Sequence, residues 1–253
     1  MNMSLLEAKE IRKTYKTRFG GASVEALKGV SFTMEKGEYV AIMGESGSGK
    51  TTLLNILASL DRPTKGSIML DGMELTSVKE GEMAAFRRKN LGFVFQEFNL
   101  LDTFSIKDNI LLPLVLDKQN VKEMMDKVQK VAASLGISEI LEKYPYEVSG
   151  GQKQRAAAAR AIITEPKLLL ADEPTGALDS KSTDGMLKIF SEINEKGQTI
   201  LMVTHSTKAA SHAKRVLFIK DGEVYHQLYR GDSSVEDFYE KIADTLTVFS
   251  KGN

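Results

Sequence analysis

The stretch Gly44-Glu-Ser-Gly-Ser-Gly-Lys-Thr-Thr52 decides how this chain is read. Gly44, Gly49, Lys50 and Thr51 satisfy the pattern G-x-x-x-x-G-K-[ST] in full, between the apolar run Tyr39–Met43 and a helix-like stretch from Thr52 to Leu60. A phosphate-binding loop needs that strand–loop–helix setting. Glycines let the backbone curl until successive N–H groups point at phosphate oxygens, and the following helix adds its positive N-terminal pole. Gly44, Ser46, Gly47, Ser48, Gly49, Lys50, Thr51 and Thr52 therefore form the candidate cradle. Lys50 would reach the β- and γ-phosphates, and the Thr51 hydroxyl would hold Mg²⁺. A nucleoside triphosphate is the expected ligand.

Composition narrows the setting. The 253 residues suit one nucleotide-binding domain with an elaborated second lobe. Lys and Arg number 34 and are matched by 34 Asp and Glu, so nothing in the charge points to a nucleic acid or an anionic membrane, and no nucleic-acid partner is expected. The absence of cysteine excludes disulfides and thiolate metal sites. MNMSLLEAKEIRK carries charges where a signal peptide needs an apolar stretch. No apolar run approaches the roughly 18 residues of a membrane span. A soluble, cytoplasmic protein is expected, with any membrane part supplied by another chain.

Leu5–Tyr15 and Val24–Thr33 read as two antiparallel strands of a β-subdomain, joined by a Gly-containing loop at Thr17–Ser23. Tyr15 carries two readings: a half-buried strand residue, or a platform on which adenine stacks. Gly66–Leu70 is a short strand ending in the hairpin signal Asp71-Gly72. Lys79–Lys89 reads as helix and Leu91–Phe95 as a buried strand closed by Gln96, either a loop residue or an amide poised over a cleft. From about 104 to 165 the pattern is helical. Ser105 and Asp108 resemble a capping box opening a helix that Pro113 is expected to interrupt after Leu112. Val121–Leu135 shows the i, i+3, i+4, i+7 stripe, its Met residues read as core filler. Val148-Ser-Gly-Gly-Gln152 then starts an Ala-rich helix. Ser149, Gly150 and Gly151 there are either a helix cap or a second anion site.

Leu168–Ala171 is a buried strand ending in Asp172 and Glu173, at the kind of sheet edge where α/β proteins bind ligands. Asp172 would ligate Mg²⁺ and Glu173 would polarise an attacking water. Helix Ser180–Asn194 follows, then strand Gln198–Val203, closed by Thr204 and His205. His205 is one of three histidines; at that edge it is read as a phosphate contact, and His212 and His226 as structural or surface residues. Arg215–Lys220 and Glu223–His226 form a hairpin. Beyond Gly231, Val235, Phe238, Tyr239, Ile242 and Leu246 mark an amphipathic helix, read as packing on its own domain in preference to a partner.

The ordered set GESGSGKT, Gln96, VSGGQ, LLLADE, ALD and His205 resembles the ATP-binding cassette (ABC) family over nearly the whole chain. That resemblance implies an α/β fold: a P-loop NTPase with a RecA-like core, the antiparallel β-subdomain and an inserted helical lobe at about 97–165. The cassette would span 1–228, with a helical extension at 229–253. Two cassettes of this family sandwich two ATP molecules head to tail. Ser149, Gly151 and Gln152 would then contact the γ-phosphate of ATP held by the partner's Lys50, with Gly150 part of the same nucleotide-binding stretch. Gln96 would sense Mg²⁺ and water, Asp179 would communicate across the dimer, and Tyr15 would stack on adenine. Val148 and Ser206 depart from the family's usual leucine and aspartate. More narrowly, FVFQEFNLLDTFSIKDNILLPL and ADEPTGALDSKS resemble the macrolide-exporter and lipoprotein-release group, and the tail resembles bacitracin-type peptide-resistance transporters. The implied protein is an ATPase homodimer at the cytoplasmic face of the membrane, bound to an integral-membrane permease and exporting or detaching a peptide antibiotic. The alternative is a mechanotransmitting ATPase that regulates cell-wall hydrolysis or lipoprotein release. Soluble translation and chromosome-organising members fit poorly, because the chain has one phosphate loop and no long coiled coil.

Overall fold

The computed structural model describes residues 4–16 and 23–251. In chain order its elements are β1 Ser4–Tyr15, β2 Val24–Glu35, β3 Tyr39–Gly44, α1 Lys50–Leu57, β4 Lys65–Leu70, β5 Met73–Glu74, α2 Glu80–Asn90 and β6 Leu91–Val94. Then come α3 Ile106–Leu116, α4 Val121–Ser134, α5 Gly150–Ile162, β7 Leu168–Asp172 and α6 Ser180–Glu195. The chain closes with β8 Thr199–Val203, α7 Thr207–Ser211, β9 Arg215–Lys220, β10 Glu223–Tyr229 and α8 Val235–Lys251. These elements gather into two compact units, Met1–Val78 with Thr199–Asn253, and Lys79–Gln198. The expected loop at Thr17–Ser23 lies, but for Ser23, outside the described residues.

The first unit holds two sheets. One is antiparallel in the order β2-β1-β4-β5, the β-subdomain expected from two strands ahead of the phosphate-loop strand. In the other, β3 lies parallel between β8 and β9, and β10 returns antiparallel beside β9. β3, β8 and most of β9 are buried, which is why they read as unbroken apolar runs and not as alternation. Two glycines of the phosphate loop are required by close approach. A Cβ on Gly44 would lie 2.1 Å from the Ile219 carbonyl oxygen, and one on Gly49 2.5 Å from that of Ala26. Gly49 also has φ 101°, which a side chain would strain.

The C-terminal helix packs on this same unit. Phe238 and Ile242 are fully buried, and the Phe249 ring meets Tyr225 edge-on with centroids 4.7 Å apart, alongside His226 and Phe218. Tyr239, on the same stripe, stays exposed. Phe→Ala truncations in cores cost about 3–5 kcal/mol. Phe238→Ala is therefore expected to lower the urea midpoint strongly without changing the slope, whereas a midpoint within error of wild type would show that α8 does not depend on this anchor.

In the second unit, β6 and β7 pair in parallel, Val94 beside Ala171. Pro113 does not end its helix: α3 runs on through it to Leu116. An interior proline costs about 3 kcal/mol, and burial of Ile110, Leu111 and Leu114 along the same helix offsets it. Of the two methionines in α4, Met124 is buried as expected, whereas Met125 faces solvent.

Candidate nucleotide site

The cradle follows from the way β3 ends. Gly47 turns at φ 79° and Gly49 at φ 101°, and α1 starts at Lys50. Lys50 folds back over the loop, its Nζ donating to the carbonyl oxygens of Gly44 at 2.8 Å and Glu45 at 2.7 Å. Ser48 is buried, and its hydroxyl has no hydrogen-bond partner. An orphaned hydroxyl, a lysine ammonium and a helix start converging on one glycine turn fit an anion of phosphate type. Thr51 and Thr52 occupy the first turn of α1.

Two further candidates stand in this unit. Val203 pairs beside Ile42, and the Thr204 N–H donates to the Ile42 carbonyl oxygen, so His205 emerges at the same carboxyl edge as the loop. His205, Gly44 and Glu45 line one cavity of about 160 Å³, whose far wall includes Leu246 and Phe249 of α8. Burial, reinforced by the Glu45 charge, raises the Tyr225 phenol beside it. Ser206 caps α7 by accepting from the Ala209 N–H, a task aspartate performs equally well, which accounts for the serine here. Tyr15 remains 44% exposed, with its hydroxyl donating to Asp61 and the Lys13 ammonium 4.9 Å from the ring centroid. Partial burial pushes the Asp61 carboxyl up, but hydrogen bonds from Lys13, Tyr15 and the Arg62 N–H outweigh it and hold Asp61 below the usual range.

The second unit carries the other set. Because Val94 and Ala171 are level, Gln96 and Glu173 both stand just past the carboxyl ends of their strands. Glu173 has φ 44°, a left-handed conformation that costs a residue with a Cβ about 1–3 kcal/mol. Gln96 lies against the turn after it: a Cβ on Gly176 would come within 3.0 Å of the Gln96 amide nitrogen. Among the described residues no group of three or more His, Cys, Asp or Glu could hold a metal alone. Mg²⁺ commonly takes only one or two protein oxygens, completing its shell with water and phosphate oxygens, so a single carboxylate such as Asp172 is the kind of donor it uses.

Ser149 caps α5. Its Oγ accepts from the Gln152 N–H at 3.3 Å, and the Gln152 side chain accepts from the Ser149 N–H at 3.0 Å. The serine's own O–H is left to donate outward. A Cβ on Gly151 would lie 2.7 Å from the Ser182 Oγ, so a side chain here would have to displace that serine. Asp179 caps α6: hydrogen bonds from the Ser182 hydroxyl and N–H lower its carboxyl pKa. Sequence reasoning missed the braces behind Gln96. Gln154 and Arg160 of α5 hold carbonyl oxygens on either side of it; burial pulls the Arg160 guanidinium below its usual range. Their only signal was two polar residues within an alanine-rich helix.

A glycine cradle at the end of a buried parallel strand in the first unit, and an amide and two carboxylates at the ends of the parallel pair in the second, define an α/β P-loop nucleotide-binding protein. The chain belongs to the ABC transporter family, whose family model matches residues 27–176, and it is the ATPase cassette type. It is 55% identical to the bacitracin export ATP-binding protein BceA of Halalkalibacterium halodurans over 247 residues, covering 97% of each chain. It also matches the dimeric structure of MJ0796, a bacterial ABC transporter cassette, at 37% identity and TM-score 0.81, covering 88% of this chain and 98% of that one. A dimeric post-hydrolysis state of MJ0796 bound to ADP and Pi matches at 36% identity and TM-score 0.80, with the same coverage. Among the described residues no helix is long and apolar enough to cross a membrane.

Proposed function

We propose that two copies of this chain close head to tail around two ATP molecules and drive a separate integral-membrane permease that exports a bacitracin-like peptide antibiotic or removes it from its target. The likeness to the bacitracin export ATP-binding protein, running through both chains nearly end to end, carries the choice of substrate class. The membrane location, on the cytoplasmic face, follows from the permease. Within each site Tyr15 stacks on adenine. The loop from Gly44 to Thr52 receives the phosphates, with Ser46, Gly47, Ser48 and Lys50 as donors. Bound Mg²⁺, held through Thr51, Gln96 and Asp172, would offset phosphate charge. Glu173 accepts the proton of the attacking water, and His205 contacts the γ-phosphate. The second glycine-opened helix start, at Ser149, supplies donors to the nucleotide of the opposite copy, together with Gly150, Gly151, Gln152 and Asp179.

Sharing of sites between copies has a direct test. A Lys50→Ala chain mixed with a Ser149→Arg chain forms heterodimers in which both lesions fall in one site and the other site is intact. The mixture is expected to hydrolyse ATP faster than either variant alone. Equal inactivity at every mixing ratio would place Ser149 and Lys50 of one copy on the same nucleotide. For the substrate class, deleting the chain is expected to sensitise its host to bacitracin-like peptides, with wild type but not Lys50→Ala restoring resistance. Unchanged sensitivity would remove the peptide role and leave the ATPase.

A further inference from the structure

We infer that Gln154 is a positioning residue for hydrolysis: it ties the helix opened by Ser149 to the backbone on which Gln96 and Glu173 stand. Gln154 is completely buried in α5. Its amide nitrogen donates to two main-chain carbonyl oxygens, that of Phe95 at 3.2 Å and that of Pro174 at 2.5 Å. Phe95 immediately precedes Gln96, and Pro174 immediately follows Glu173. The reach of one side chain thus spans both catalytic-edge strands, β6 and β7.

The chemistry of the amide makes the grip specific. Two carbonyl acceptors require two N–H donors, which a primary amide supplies from a single nitrogen. The other end of the amide, Oε1, is buried with no hydrogen-bond partner. Turning the amide over would not cure this, since Oε1 would then face two carbonyl oxygens. A polar side chain kept completely buried needs a reason beyond packing.

That reason lies in the backbone it holds. Glu173 sits at φ 44° directly before a proline, a position where the choice of backbone conformations is already restricted. The Glu173 carbonyl oxygen accepts from the Gly176 N–H at 2.9 Å, and the next carbonyl, of Pro174, is the one Gln154 takes. Both carbonyls after the carboxylate are therefore pinned, and one of them is pinned from α5. On the Gln96 side Arg160 repeats the arrangement one turn and more along α5. It donates to the carbonyl oxygens of Phe98 and Asn99, which have left-handed backbones of their own, φ 62° and 49°. A helix whose first residues meet ATP, and whose buried face holds the segments bearing Gln96 and Glu173, can report closure at Ser149 to the residues that position water.

The inference rests on Glu173 as the base, and the test separates the two. Gln154→Met keeps size and removes both donors. It is expected to lower kcat roughly 10- to 100-fold, as small misplacements of reacting groups do, with ATP affinity changed less than about twofold. In the Glu173→Gln background the same substitution should add nothing to the loss of residual γ-phosphate release in single-turnover assays, because there is no longer a base to misplace. If Glu173→Gln slows hydrolysis but Gln154→Met still imposes its full factor on top, Gln154 acts elsewhere and this inference falls alone. If Glu173→Gln hydrolyses like wild type, the base assignment falls and takes the inference with it. Should Gln154→Met weaken ATP binding and kcat together, its role is structural. Gln154→Glu, which sets a carboxylate against two carbonyls, is expected to be the more damaging of the two changes.

Discussion

Glu173→Gln lowers ATP turnover by about 10²–10⁴-fold, the range general-base groups contribute, and leaves ATP affinity intact. The expectation rests on placement. Glu173 follows the last residue of β7, past the carboxyl end of a buried strand, and its left-handed backbone is fixed by the turn from Glu173 to Gly176. A glutamine keeps the side chain's shape and its capacity to orient water, and loses the capacity to accept a proton. If hydrolysis is what reopens the closed pair, the variant accumulates as an ATP-bound dimer, read by size-exclusion chromatography with Mg²⁺-ATP. Slow turnover with a trapped dimer supports the base role. Slow turnover with lost ATP binding moves Glu173 to a metal or structural role, and undiminished hydrolysis removes it from the mechanism.

Lys50→Ala abolishes measurable hydrolysis, by at least the roughly 10²–10³-fold that removal of one preorganised donor costs, and also weakens ATP binding. Its ammonium bridges the carbonyl oxygens of Gly44 and Glu45, which keeps a positive charge on the glycine turn. The fold around the loop has other determinants. Gly44 and Gly49 are set by the close approach of Ile219 and Ala26, so the variant should melt close to wild type. Lys50→Arg is not expected to rescue, because a planar guanidinium does not fit the turn that a point-like ammonium fills. Wild-type phosphate release from Lys50→Ala would sink the assignment of this loop, whereas an unfolded variant would show that the lysine holds the loop itself.

The reading from sequence matched the structure where the pattern is local, as in the strand, glycine turn and helix start around Gly44–Thr52. A phosphate loop is a short run of glycines, a lysine and a hydroxyl, all neighbours in the chain, and its surroundings betray it: Tyr39–Met43 is an unbroken apolar run because β3 is buried. The antiparallel subdomain, the caps at Ser105 and Ser149 and the buried strand before Asp172 follow from equally short patterns. Pro113 was misjudged because local propensity lost to burial along the rest of α3.

What no pattern along the chain contains is which distant backbones share one side chain. Gln154 reads as an ordinary polar residue after a signature, and only folding brings the carbonyls of Phe95 and Pro174 to its amide. The same holds for Arg160 and the segment after Gln96, for Gly44 against β9, and for Phe249 against the β9–β10 hairpin. Motifs are legible because their atoms act from adjacent positions, and periodicity is legible because a buried face repeats. Pairings between segments far apart in sequence leave no periodic trace, since each is settled once, by the packing of one element onto another within its own unit.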